Sequence, residues 1–363
     1  MKLNEFFKKR NDVLRLVSLN LKSKFLYLVI FSIPAVTLFI GCTIADDRDV
    51  YVIGKIYQPP KAIATLWKNG ENQNITDRNN SWFKSVYVSG DDVYIVGNES
   101  NEEGKSVAKL WKNGIAQNLT DGSKNGDAVS VYVSGNDVYV VGKDDGVPTL
   151  WKNGVGTAFI DGETEILSEA SDVGIRMVGD RYTFSSVHVS NEDVYIAGYE
   201  SLYPVLSGKR VAKLWKNGEV QNLKVGSEKA GANSVFVFDG DVYVLGWDGS
   251  KSQLWKNGEV QNFFKGERYS EASSVYVSDG DVYVAGNEAN EKGIRVAILW
   301  KNGIAQNLTD GSKNAYAYAV FVLGKDVYVA GNEENTAILW KNGKTQKLFT
   351  AEYGTSAKAV FVK

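Results

Sequence analysis

The chain of 363 residues has one cysteine, one histidine, two methionines and five prolines. A single cysteine excludes a disulfide framework, a thiolate metal site and a CxxC redox pair. A single histidine, His188, excludes a multi-histidine metal centre. Charge of one sign is also missing. Lys and Arg number 41 against 43 Asp and Glu, a net −2, so nothing here attracts nucleic acid. No segment reads as an amphipathic helix, and no motif implies a cofactor. Hydrophobic content of 44% and charged content of 23% are ordinary for a folded soluble domain.

The first 24 residues carry seven positive side chains (Lys2, Lys8, Lys9, Arg10, Arg15, Lys22, Lys24) against Glu5 and Asp12. Phe25 to Ile40 then runs without a charge. That is short for a membrane span, which needs about 20 residues, but it suits the apolar core of a secretory signal. The run ends at Gly41-Cys42, where the only cysteine follows a small residue. This resembles a bacterial lipoprotein signal, which implies acylation of Cys42 after cleavage. The expected organisation is a signal peptide over 1–41, a short linker over 42–48 and a folded domain over 49–363. The expected location is the bacterial cell envelope, outside the cytoplasm, with the membrane reached through the lipid. Without residues 1–41 the net charge is about −7, which disfavours anionic surfaces as partners.

From Asp49 onward one repeat recurs seven times. Trp-Lys-Asn-Gly begins at Trp67, Trp111, Trp151, Trp215, Trp255, Trp300 and Trp340. Asp-Val-Tyr begins at Asp49, Asp92, Asp137, Asp193, Asp241, Asp281 and Asp326. A Ser/Ala-Val-aromatic-Val string begins at Ser85, Ser130, Ser186, Ser234, Ser274, Ala319 and Ala359, with His188 replacing the aromatic once. Each repeat of about 45 residues reads as four strands, A to D. Strand A is the Ser-Val-Tyr-Val type, strand B begins at Asp-Val-Tyr, and strand C ends at Trp-Lys. Asn-Gly, a strong hairpin signal, leads to a more polar edge strand D.

The first copy starts at strand B, and the chain ends in an unaccompanied strand A. A ring resolves both oddities, because the last strand completes the first sheet and removes open edges. The expected fold is all-β, a seven-bladed propeller of four-stranded antiparallel blades and a monomeric ring. Asp49 to Val362 resembles bacterial β-propeller repeat lipoproteins of unassigned function. It lacks the Trp-Asp ending and the paired-glycine signature of better-known propeller repeats, so partners of those families do not carry over.

Spacing locates the irregular part. Strand A to strand B is constant, whereas the Trp to the next strand A is 18 or 19 residues except once, after Trp151, where it is 35. The longest Asp-to-Trp spacing, 22, falls in the next repeat. In a propeller the A–B and C–D turns share one face, and the B–C and D–A loops share the other. Both insertions therefore lie on the variable face over one blade, where function concentrates. Their aromatic and charged residues form the candidate binding patch: Glu163, Glu165, Glu169, Asp172, Arg176, Arg181, Tyr182, Tyr199, Tyr203 and Arg210, with His188 in the blade beneath. The seven repeat tryptophans are expected to pack between blades. The turn aspartates offer one or two carboxylates each, too few for calcium, and read as backbone acceptors.

The leading expectation is a non-catalytic binding or scaffold module, with an unknown protein or glycan as ligand. The alternatives are a glycan hydrolase with its site in the inserted loops, and an envelope-assembly subunit. No nucleophile motif supports the hydrolase. Residues 110–125 and 299–314 are identical, and such uniformity suits a scaffold better than a catalytic site.

Overall fold

Strand A is the inner edge of each blade, and the A strands touch their neighbours all round the ring. The computed structural model describes residues 20–21, 24–25 and 48–363, except 60, 74, 77–79, 159–181, 203–207 and 266–269. Asp49–Lys363 forms one compact unit, and Met1–Arg48 is assigned to another. Of the latter, two short paired strands are described, Asn20–Leu21 and Lys24–Phe25. Cys42 and the rest of the expected signal lie outside the described residues.

The propeller has seven four-stranded antiparallel sheets. Blade 2 shows the pattern: strand A is Ser81–Ser89, B is Asp92–Ser100, C is Ser106–Lys112 and D is Ile115–Asn118. Blades 3 to 7 repeat it, with A strands Gly126–Ser134, Tyr182–Ser190, Ala230–Phe238, Ser270–Ser278 and Ala315–Leu323. Blade 1 is made from both chain ends. Its B, C and D strands are Val50–Gln58, Lys61–Lys68 and Glu71–Gln73, and its A strand is Thr355–Val362. Val50 pairs with Val362 and Ile56 with Thr355, so the expected closure is observed. Asp49 and Lys363 exchange backbone hydrogen bonds of 3.0 Å across the seam.

Burial follows the strand order. Strand B is covered on both faces, so it is a continuous apolar run (Tyr94, Ile95 and Val96 are all buried) rather than an alternating one. Strand D is exposed along its length in most blades, and Ile115 is 77% exposed. All seven repeat tryptophans are buried, 4% exposed or less, in the clusters between blades. In blades 2, 4, 5 and 6 the residue eight places after the Trp reinforces them. Leu119, Leu223, Phe263 and Leu308 are buried there.

Two further devices regularise the ring. Each strand A carries a bulge, at Lys84 in blade 2, where two residues oppose one on strand B. The Gly closing the repeat's strand B motif makes room for it. A Cβ on Gly97 would lie 1.8 Å from the Trp82 carbonyl oxygen, and the equivalent glycines of the other blades are as crowded, at 1.9–2.2 Å. After the bulge, the serine of the Ser-Val motif reaches the next blade. Ser85 Oγ accepts from Val131 N–H at 3.3 Å, and Ser130, Ser186, Ser234 and Ser274 act alike. Ala319 and Ala359 stand at this position in blades 7 and 1, so both junctions of blade 1 lack the hydroxyl.

Candidate functional site

The face of tight turns performs the same chemistry seven times. Each Asn of the Asn-Gly turn has φ of 51–54°, the left-handed conformation of a type I′ hairpin. Its side chain clasps the A–B turn beside it. In blade 2, Asn113 Oδ1 accepts from Val93 N–H at 2.8 Å and its amide donates to Asp92 at 2.7 Å. Lys112 Nζ takes the other oxygen of Asp92 at 2.7 Å and lies 5.2 Å over the Tyr94 ring. The lysine, then the asparagine, holds the Asp92 carboxyl below the usual carboxylate range. The same Lys–Asp pairing recurs at 2.6–2.8 Å in blades 1 to 6 and at 3.6 Å in blade 7. The clasp is uniform and its Lys and Asp charges are paired, whereas the tips of the A–B turns differ, from Asp91 and Asn136 to Glu192 and Lys325.

The axis is closed by aromatic rings. Tyr87, Tyr132, His188, Phe236, Tyr276, Phe321 and Phe361, one from each strand A, touch in order and return to Tyr87, with centroids 4.4–4.9 Å apart. Each ring thus has two ring neighbours, and the collar runs unbroken round the axis. His188 is a member of this collar, 6% exposed between Tyr132 and Phe236. Burial pushes its pKa down to about 4, so it is neutral at pH 7.

Toward the loop face the repeats diverge. The bulge position carries Lys84, Val129, Ser185, Asn233, Ser273, Tyr318 and Lys358 in blades 2 to 7 and 1. Several reach the neighbouring strand A. Lys84 pairs with Asp127 at 2.6 Å, Asn233 donates to the Ala272 carbonyl at 3.4 Å, and Lys358 Nζ lies 3.4 Å over the Tyr318 ring. These contacts line the mouth of the central channel, above the collar. Between blades 5 and 6 the mouth adjoins a cavity of about 300 Å³ lined by Trp247, Lys251, Ser252, Ser270 and Glu271. Trp247 lies against Gly231, where a Cβ would come within 2.8 Å of the indole.

Of the patch expected from sequence, Glu163, Glu165, Glu169, Asp172, Arg176, Arg181 and Tyr203 lie outside the described residues. The other four are not gathered in one place. Tyr182 is buried edge-on against Trp215 at 5.7 Å, and His188 sits in the collar. Tyr199 and the exposed Arg210 do meet, the guanidinium 4.8 Å over the ring on adjacent strands of blade 4. A cleft of about 520 Å³ between blades 3 and 4 is lined by Tyr139, Leu150, Ala158, Tyr182 and Trp215, and Phe159, the residue eight places after Trp151, lies outside the described residues. It is not assigned as a site.

The mouth was accessible to sequence comparison and missed. Its signal is the residue just before each Ser/Ala-Val string, which changes type in almost every copy of an otherwise constant motif.

No protein-family model matches the chain, and no curated protein matches it. Solved structures do. The β-propeller domain of the Trilobed protease from Pyrococcus furiosus, described as having an open velcro topology, is 16% identical with a TM-score of 0.50 over 84% of this chain and 95% of that one. A puromycin-hydrolysing peptidase of Mycobacterium tuberculosis is 12% identical, TM-score 0.49, over 75% of this chain. The match spans 47% of the peptidase, under half its length. TolB from Acinetobacter baumannii is 13% identical, TM-score 0.44, over 85% of this chain and 82% of that one. At these identities the likeness concerns the fold alone, and the chain is a seven-bladed β-propeller.

Proposed function

We propose that this propeller is a non-catalytic binding module, held in the cell envelope by a lipid on Cys42, that captures its ligand at the loop face. One observation carries the reading. Seven repeats that share one Lys–Asp–Asn clasp at their tight turns carry five different residue types at the bulge position round the mouth of the channel. A binding site needs such asymmetry, and loops and rims on a rigid scaffold supply it. The two spacings that exceed the norm, over 161–184 and 199–210, add aromatic and charged residues that suit recognition. Seven residues of chain, at most about 25 Å, separate Cys42 from Asp49 at the turn-face end of strand B.

Two measurements test this. Cys42→Ser should abolish palmitate incorporation and leave an uncleaved precursor, and labelling that persists removes the anchor. Glycan and peptide arrays are then probed with the full chain, with a variant lacking residues 163–178, with Trp247→Ala and with the turn-face variant Lys301→Glu. Binding should fall in one of the loop-face variants and persist in Lys301→Glu. Loss with Lys301→Glu alone assigns function to the other face, and release of new reducing ends from a bound glycan overturns the non-catalytic part.

A further inference from the structure

The junction between blades 7 and 1 differs from the rest of the mouth in its charge. Most lysines near the rim have an acid. Lys84 has Asp127, Lys109 has Glu99 and Lys213 has Glu200, all at 2.6–2.7 Å. Lys55 and Lys358 have none within ion-pairing distance among the described residues. They sit on adjacent strands of blade 1, where Lys55 pairs across from Ser356, two residues before Lys358. Burial, and then the nearby charge of Lys55, push Lys358 down to about 8. Two neighbouring cations without a counter-charge, one of them desolvated, are costly to keep unless an anion arrives from outside.

The walls say what else that anion carries. Tyr318 lies beneath Lys358, and Tyr316 stacks parallel to it, centroids 6.2 Å apart at 5°, both half-buried. Two buried polar atoms on the flanks have no partner among the described residues. Ser356 Oγ, on the same sheet face as Lys55, is buried in a side chain 6% exposed, and Asn332 Oδ1, across from Tyr316, in one 8% exposed. Inorganic phosphate satisfies the lysines but offers the rings nothing to stack. A peptide carboxylate brings a charge without a flat face of C–H groups. A sugar ring bearing a carboxylate supplies the negative charge and an apolar face for tyrosine in one unit.

We infer that the rim formed by Lys55, Ser356 and Lys358 of blade 1 with Tyr316 and Tyr318 of blade 7 binds a uronic-acid-type residue of an acidic glycan. The inference rests on loop-face binding as proposed above and adds its ligand class. The carboxylate lies between the two ammonium groups, and by drawing the Lys358 ammonium off the Tyr318 ring it clears that face for the sugar.

The test is calorimetric titration of the full chain in detergent with an oligoglucuronate, with the neutral glucose oligomer of equal length, and with inorganic phosphate. The oligoglucuronate should bind saturably. Lys55→Met and Lys358→Met, which keep the chain length of the side chain, should each weaken it at least tenfold, and Tyr318→Ala should do the same. Lys301→Glu should leave it unchanged, and circular dichroism checks that each variant is folded. Equal affinity for phosphate means an anion site without sugar recognition and overturns the inference, as does uronate binding that survives both lysine changes. No uronate binding, with another glycan or peptide captured through Trp247 or residues 163–178, overturns this inference alone. Binding that follows Lys301→Glu overturns the loop face as well.

Discussion

His188→Phe should stabilise the propeller progressively as the pH falls. The collar already accepts phenylalanine at three of its seven positions, Phe236, Phe321 and Phe361, so the replacement fits the local geometry. The histidine has an ordinary pKa of 6.5 when unfolded and about 4 in the ring, because burial disfavours the imidazolium. Between those values the unfolded chain binds more protons than the folded one, so acid lowers stability. Linkage over that shift gives about 2 kcal/mol at pH 5 and about 0.2 kcal/mol at pH 7. The faces of Tyr132 and Phe236 offset part of this by attracting the imidazolium, by about 0.5–1 kcal/mol. The expected gain of the variant is therefore about 1–2 kcal/mol at pH 5 and close to nil at pH 7. Urea titrations followed by tryptophan fluorescence at pH 7.5, 6 and 5 measure it, the observable being the difference in midpoint between the two proteins at each pH. Carboxylates titrate equally in both, so they cancel. A difference that stays flat from pH 7.5 to 5 refutes the buried, unpaired imidazole.

Other perturbations address the frame. Ala359→Ser should give Val86 N–H the hydroxyl that five other junctions have and raise stability by about 0.5–1.5 kcal/mol in thermal melts, whereas no gain means that the junction geometry differs. Gly97→Ala should destabilise strongly, because the new Cβ would meet the Trp82 carbonyl at 1.8 Å, and an unchanged melting temperature would show that the bulge relaxes. Deleting residues 357–363 removes most of the strand paired with Val50–Gln58 together with Phe361 of the collar. It should abolish cooperative unfolding, and a truncated chain with an unaltered thermal midpoint refutes closure by that strand.

Much of the frame was legible because repetition multiplies weak signals. The missing strand before Asp49 and the spare one after Lys358 implied closure, and the tryptophans' fixed place on strand C implied burial. Asp, Lys and the Asn-Gly turn were assigned to one face correctly, but not the clasp of Asn113 on Asp92 and Val93, since a turn signal does not say where the side chain goes. The bulge escaped notice because it is a matter of register, and Lys84 looks like any solvent-facing residue of an alternating strand. With it went the mouth. The sequence drew attention to the long insertions, where length departs from the norm, while the divergence at Lys84, Tyr318 and Lys358 changes composition without changing length. His188 stood out as an oddity of composition, and its place in the collar shows that it fills an aromatic's position.

The collar has an odd number of members. Rings around a cycle could alternate, one flat and the next upright, only if their number were even. With seven, such a scheme fails at one junction. One orientation repeated round the axis closes for any number, and the seven interplanar angles, all between 44° and 56°, fit rings that stand parallel to the axis and are each turned by one seventh of a circle from the last. One ring cannot then turn flat without striking one neighbour and abandoning the other. Each of Tyr87, Phe236 and their companions therefore meets two neighbours at nearly the same inclination, so a replacement at any one position faces the same angular setting.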